Sequence, residues 1–427
     1  MFNIRKMLVM ATFGFASGLP YILIFSTLSA WLRDIGISLS LIGFFSWIAL
    51  TYSLKFLWAP FVDRFSVPIL NRYGRRKSWI ILTQLIIVFC IFTLSSINPI
   101  NSLSFFIFIA FLIAFSGSIQ DTAIDAFRIE YADIADQGNL AAAYQFGYRL
   151  AILAATSLAL ILADKYGWST SYEVMGLLMF TGLIGVAISK KENINTQLEI
   201  LNFKDSFIKP IKDFGSRYGF YLASLLLFIV ATYRLTDIVM GPMANPFYLD
   251  MGYSLTEIGS VVKIVALIAS VIGVFLGGIL IKKIGLYYSL LTGAFLVMMT
   301  NACFSYVAIS QEEYIALGSI KMPIKLSLIV GLDSIAAGIV GTVNITFLTS
   351  MVSKKYTAVQ YALLTSFMML PGKFFGGFSG ILASYFQEIS NLNYGWMYFY
   401  LFTSLLTVPS VIFIMINKNF FINDKSI

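Results

Sequence analysis

The sequence predicts an all-α polytopic membrane protein, with twelve transmembrane helices in two six-helix lobes and both termini in the cytoplasm. Three observations predict it. The 427-residue chain is 59% hydrophobic and only 12% charged. That is about half the charged fraction of a soluble globular protein, so much of the surface must face lipid. Apolar runs of the length needed to cross a bilayer, about 20 residues, recur from end to end. Lys and Arg gather in alternate connecting segments, the bias that sets membrane orientation.

In order, the spans lie near 7–31, 40–62, 79–97, 103–128, 140–163, 171–189, 218–240, 256–281, 286–309, 324–351, 358–384 and 396–416. The first follows Arg5 and Lys6 as a signal peptide would. No small-residue cleavage site precedes Asp34, however, and many similar spans follow, so it reads as a membrane helix. The second and third are joined by a loop holding Asp63, Arg64 and then Gly74-Arg75-Arg76-Lys77. The fourth carries Asp121 and Asp125, one helical turn apart and therefore on one face. The longest hydrophilic stretch, 190–217, follows the sixth span and divides the chain into a lobe at 1–189, a cytoplasmic linker and a lobe at 218–427. The eighth span opens as the second does, "LTEIGSVVKIVAL" (255–267) against "LSLIGFFSWIAL" (39–50). Twelve spans with a repeat of six is the arrangement of a two-lobed transporter, whose site lies where the repeats meet.

With the N-terminus inside, the inside segments hold most of the Lys and Arg residues, from Arg5 to Lys425. The outside segments hold only Arg33, Lys165, Lys321 and Lys325. This bias accounts for the net charge of +8 without a nucleic-acid partner. The chain has no histidine, which excludes imidazole catalysis and a histidine pH switch. Cys90 and Cys303 stand far apart in separate apolar runs and suggest neither a disulfide framework nor a metal site. No Ser/His/Asp set or zinc spacing is present, so the sequence predicts neither an enzyme nor a bound cofactor. A channel would favour a ring of like charge; here the charges are mixed and the repeat is internal.

Nine charged residues within the spans carry the argument: Lys55, Asp121, Asp125, Arg149, Arg234, Asp237, Lys263, Asp333 and Lys373. A charge at mid-bilayer costs several kcal/mol on even the mildest scale, so it faces a cavity or a partner. Arg234 and Asp237, three apart, fit a helix-locking pair as well as a functional one. Arg128 either caps the fourth span or pairs with Asp125. By the rise of about 1.5 Å per residue, Lys55, Arg149, Asp121 and Asp125 sit at mid-membrane or nearer the cytoplasm. By the same ruler Lys263, Asp333, Arg234 and Lys373 sit nearer the outside. The count predicts a diagonal polar site, low in the first lobe and high in the second, suited to a long solute. Two acids one turn apart in a low dielectric resist ionising together, which makes Asp121 and Asp125 the expected proton carriers. Full neutralisation of both by Lys55 or Arg149 is the alternative. The basic residues Lys55, Arg149, Lys263 and Lys373 are the expected partners of substrate carboxylates. Trp47, Tyr52, Tyr144 and Tyr148 are candidates to stack on sugars. Gly14, Gly18-Pro20, Gly241-Pro242, Pro246 and Pro371-Gly372 read as interruptions of their spans, and Gly376, Gly377 and Gly380 as close-packing positions.

The loop Asp63-Arg64…Gly74-Arg75-Arg76 resembles the gate signature of the major facilitator superfamily, with FSVPILNRY inserted in it. More closely, "GFASGLP" (14–20), "KFLWAPFVDR" (55–64), "QDTAIDAF" (120–127), "GYRL" (147–150), "YRLTD" (233–237), "GGILIKK" (277–283) and "QYALLTS" (360–366) resemble, in order, the AmpG muropeptide permease family. The resemblance covers essentially all twelve spans. It implies a monomer in the bacterial inner membrane that imports anhydromuropeptides, fragments of the cell wall, from periplasm to cytoplasm with protons. It also places Gln120, Arg234, Asp237 and Asp333 among the substrate-binding residues and the cavity on spans two and five. The related acetyl-CoA transporters share much of the pattern, so acetyl-CoA, a peptide or an amphiphilic drug is the alternative cargo.

Overall fold

A computed structural model of the chain describes residues 4–131, 137–190, 203–317, 320–353, 357–418 and 421. Lys191, Lys354, Lys355 and Lys425, expected inside, and residues 191–202 of the expected linker lie outside them. The described structure is helical except for a small hairpin. Among the described residues, nine helices are long and apolar enough to cross a membrane. The longest, Leu255–Ile309, is 55 residues. At 1.5 Å per residue it would far exceed the roughly 30 Å hydrocarbon core. It breaks at Gly285, whose φ of 76° leaves the helical region, so it serves as two helices. Gly74 opens the helix Arg75–Ser96 with a φ of 110°. Gly74 ends the loop between the expected second and third spans, and Gly285 the one between the eighth and ninth. Only a residue without a β-carbon takes such angles at little cost.

The expected second span is built of short pieces. Helices Leu39–Phe45, Leu50–Ser53 and Ala59–Arg64 are joined by 3₁₀ turns at Ser46–Ala49 and Lys55–Leu57. The seventh runs beyond its expected end in pieces, through Leu235–Met240, a 3₁₀ turn at Gly241–Met243 and Ala244–Asp250. The interruption expected at Gly241-Pro242 is therefore present. Those expected at Gly14, Gly18 and Pro371 are not. Helix Ile4–Ile22 continues through Pro20, and Thr357–Gly376 continues through Pro371. Between Ile309 and Ile324 the chain forms an antiparallel hairpin of Tyr314–Leu317 and Ile320–Pro323, which hydropathy alone does not signal.

The chain divides into two compact units. One comprises Met1–Ser38, Ile48–Gln197 and Gly252–Lys263; the other comprises Leu39–Trp47, Leu198–Met251 and Ile264–Ile427. In the first unit, the helices Ile4–Ile22 and Gln137–Leu153 cross with almost no side chain between them. A β-carbon on Gly147 would collide with the Ala11 carbonyl, and one on Gly14 with the Tyr144 carbonyl. These glycines serve close approach rather than bending. Three π-turns, Leu23–Thr27, Ala154–Leu158 and Ile258–Val262, meet beside this crossing. There Thr27 donates to the Ala155 carbonyl and Thr256 to Asp164. In the second unit, Leu39–Phe45 packs on Ser379–Glu388. A β-carbon on Gly380 would strike the Leu39 carbonyl, and one on Gly377 the Trp47 indole, as the close-packing reading expects. Trp47 donates to the Phe374 carbonyl at 2.8 Å and stacks on that ring at 5.9 Å, so its indole is taken up by helix packing.

Each unit carries the same indole–carboxylate tie. Trp168 Nε1 donates to Asp34 at 2.7 Å, and Trp396 Nε1 donates to Asp250 at 2.9 Å. Trp396 is fully buried and Asp250 partly so, whereas Asp34 is exposed. Water replaces the lost bond readily at Asp34 and poorly at Asp250. We therefore expect Trp396→Phe to cost about 2 kcal/mol, within the range for bonds to charged groups, and Trp168→Phe about 1 kcal/mol or less. Unfolding midpoints of the purified variants check that order.

Candidate functional site

The charged residues expected in the spans are divided between the two units, and each unit holds one acid–cation pair among them. In the first unit the helix that carries Lys55 is interrupted beside it. Leu54 leaves helical geometry at φ −93°, ψ 9°, and a 3₁₀ turn begins at Lys55. Lys55 Nζ lies 3.7 Å from Asp125 Oδ2, with both side chains 43% exposed. Arg128 Nη2 stands 3.9 Å from the other Asp125 oxygen, so the pairing reading of Arg128 holds. Asp121, one turn earlier on Leu103–Tyr131, makes no ion pair among the described residues. It accepts a hydrogen bond from Ser17 on Ile4–Ile22. Tyr52, Tyr144 and Tyr148 lie within electrostatic reach of Asp121, as does Lys55. Tyr21, Phe25 and Tyr52 make an edge-to-face cluster, Tyr21 and Tyr52 at 4.8 Å. The buried Tyr52 hydroxyl finds no partner among the described residues.

Gln120 belongs to the same helix but faces away from this open region. It is fully buried and donates to the Ala16 carbonyl at 2.8 Å, where it ties two helices. Arg149 follows Tyr148 on Gln137–Leu153, is exposed, and makes no ion pair among the described residues. Lys263 ends the third π-turn and groups with this first unit rather than with the second-lobe cluster expected for it.

In the second unit a cation again sits at a break. Arg234, at φ −108°, ψ 17°, separates Phe203–Thr232 from Leu235–Met240. Its guanidinium reaches Asp237 at 3.5 Å, the pair that three-residue spacing predicts. Asp333, on Ile324–Ser350, accepts from Thr300 Oγ1 at 2.8 Å and makes no ion pair among the described residues. Asp237, Tyr248 and Tyr400 lie within its electrostatic reach. Lys373 is buried on Thr357–Gly376. It lies next to Gly372, whose β-carbon would press on Ile238.

The loop signature builds a separate junction. Arg76, 2% exposed, donates to Glu130 Oε1 at 2.8 and 3.2 Å and to the Val62 carbonyl at 3.1 Å. Arg75 reaches the same carboxylate at 3.5 Å. The backbone of Asp63 and Arg64 lies in the helix Ala59–Arg64; their side chains lie outside the described residues. Glu130 was not singled out from the sequence because it reads as the ordinary polar end of a span. Its signal is the Arg-Arg pair, which calls for an acid on a neighbouring helix. The second unit has a junction of its own. There Arg217 donates to Gln360 Oε1 at 3.0 Å, to the Met351 carbonyl at 3.0 Å and to Asp213 at 3.1 Å. The "QYALLTS" motif contains Gln360 and so marks this junction.

Residues 8–377 match the Major Facilitator Superfamily. The chain is 32% identical over 408 residues to a transporter named AmpG 4 of Rickettsia conorii, covering 94% of each. It is 30% identical over 410 residues to the anhydromuropeptide permease of Escherichia coli, covering 96% of this chain and 79% of that one. Its fold is similar to the crystal structure of a bacterial homologue of the human lysosomal transporter Spinster. The TM-score is 0.69 at 14% identity, and the match covers 98% of this chain and 97% of that one. The chain is thus a multi-pass membrane transporter, not an enzyme, and belongs to the AmpG anhydromuropeptide permeases of the major facilitator superfamily.

Proposed function

We propose that this protein imports anhydromuropeptides across the bacterial inner membrane, from periplasm to cytoplasm, by proton-coupled alternating access. It does so as a monomer of twelve spans, with lobes at 1–189 and 218–427, a cytoplasmic linker at 190–217 and both termini inside. The observation that carries this reading is the Lys55–Asp125 pair, open to 43% on each side chain at a break in its helix. An open ionic pair at membrane depth is tolerated beside water, not beside lipid, and broken helices in transporters mark the transport path. The family supplies the cargo. Muropeptides bring carboxylates and sugar faces, and Arg149, which makes no ion pair among the described residues, is suited to bind a carboxylate bidentately. Tyr148 lies within electrostatic reach of Arg149, and Tyr52, Tyr144 and Tyr148 lie within that of Asp121. Lys263 and Lys373 supply further positive charge, and Arg234 with Asp237 holds the broken seventh span in register beside the path.

Asp121 and Asp125 divide the work of coupling. Asp125 is in ion-pair distance of two cations, whereas Asp121 accepts from the Ser17 hydroxyl and makes no ion pair among the described residues. Asp121 therefore carries the proton, and Asp125 positions Lys55. Labelled anhydromuropeptide should accumulate in right-side-out or reconstituted vesicles only when a proton gradient is imposed. Accumulation that ignores the gradient removes the coupling. Accumulation of acetyl-CoA or a free peptide in its place removes the cargo.

A further inference from the structure

The second unit repeats the chemistry of the first in a place given no proton role above. In the first unit an acid, Asp121, is held by one aliphatic hydroxyl from another helix, Ser17. It lies within electrostatic reach of a buried tyrosine, Tyr52, whose hydroxyl has no partner among the described residues. A second acid nearby, Asp125, takes the cation. In the second unit Asp333 is held by one aliphatic hydroxyl from another helix, Thr300, at 2.8 Å. It lies near a fully buried tyrosine, Tyr400, whose hydroxyl has no partner among the described residues. A second acid nearby, Asp237, takes the cation Arg234.

We infer that Asp333 is a second proton-binding carboxylate, so that the transport cycle moves two protons, one on each unit. This rests on the proton-coupled reading above and extends it. Asp333 accepts from the Thr300 hydroxyl, and the phenols of Tyr248 and Tyr400 and the Asp237 carboxylate, itself paired with Arg234, lie within its electrostatic reach. No cation within ion-pair distance offsets its charge among the described residues. Asp333 is part-buried inside a membrane span, and a carboxylate there without a counter-ion is stabilised by taking up a proton. Thr300 supplies a hydrogen-bond donor for the moment the proton leaves. The step is a single O–H bond formed at a carboxylate oxygen from water on one side and broken to water on the other, with no electron transferred.

Two measurements test the inference. In proteoliposomes, the null potential for muropeptide flux should give two protons per substrate for the native protein and one for Asp333→Asn. A native ratio of one, or a ratio of two kept by Asp333→Asn, overturns the inference. If Asp333 only contacts substrate, the substitution raises KM and leaves the ratio at two. The second measurement needs no transport and so separates this inference from the reading beneath it. Infrared titration of the purified protein should show protonated-carboxyl C=O bands, one lost in Asp121→Asn and another in Asp333→Asn. Bands that Asp333→Asn leaves unchanged overturn the inference even if gradient-driven uptake is found. Should that variant fail to accumulate, Thr300→Val removes the hydroxyl and keeps the acid. It should shift the same band, and an unshifted band counts against the proposal.

Discussion

Asp121→Asn abolishes gradient-driven uptake while leaving substrate exchange across the membrane. The substitution keeps the size of the side chain and can still accept from Ser17, but it cannot gain or lose a proton. Coupling energies between two ligands of one protein run to about 1–3 kcal/mol, or roughly 5–150-fold in affinity. The ratio of gradient-driven uptake to exchange should fall by that order. Asp125→Asn behaves differently. It leaves Lys55 without its carboxylate and Arg128 without its pair, so both uptake and exchange fall together. Counterflow and gradient-driven uptake, measured side by side in the two variants, distinguish a proton carrier from the residue that positions Lys55. Gradient-driven accumulation by Asp121→Asn at the native level excludes Asp121 as the carrier.

Gly147→Ala is the second large effect, and it acts on the fold. The added methyl would point into the Ala11 carbonyl where Ile4–Ile22 crosses Gln137–Leu153. The obstacle is backbone, which cannot rotate aside as a side chain can, so the helices must separate. Overpacking costs about 1–3 kcal/mol in ordinary cores, and this site falls at or above the top of that range. Separation also moves Ser17 and Tyr144 relative to one another, and with them the surroundings of Asp121. The expected readout is a sharp loss of folded, monodisperse protein in detergent, together with reduced uptake by whatever folds. Gly341→Ala, where the β-carbon meets nothing within 4 Å, is the control that should leave both unchanged. Equal behaviour of the two variants would show that the crossing tolerates a wider gap than its geometry allows.

Much of the architecture was legible because bilayer thickness imposes a length and lipid imposes a composition. The apolar spans Leu103–Arg128 and Ile324–Ser350 fall where hydropathy puts them, within a residue at each end. The ion pairs Arg234–Asp237 and Arg128–Asp125 were legible because three residues return a helix to the same face. Hydropathy does not report hydrogen bonding, so it could not reveal that the second span is a string of short helices, or that Arg234 and Lys55 occupy breaks. Glycine and proline misled for a related reason. Pro20 and Pro371 sit inside continuous helices, because a membrane helix can lose one backbone bond where its neighbours fill the gap. Gln120 illustrates the limit at the site itself. Its neighbours Asp121 and Asp125 sit in the part-buried region, but the side chain turns the other way, toward Ala16. Its place in a motif did not disclose that direction. The repeated Tyr-Gly-Trp at 166–168 and 394–396 would have disclosed the two indole ties, had it been set beside Asp34 and Asp250.

The membership of the two compact units has a consequence for how the polypeptide comes to be made. The first unit is completed by Gly252–Lys263, and the second contains Leu39–Trp47. On the ribosome, the first unit therefore waits for a segment translated more than fifty residues after its own last helix. A gene cut within 191–202 and expressed as two pieces would give fragments each lacking a part of its own unit. Such fragments should be stable only when co-expressed.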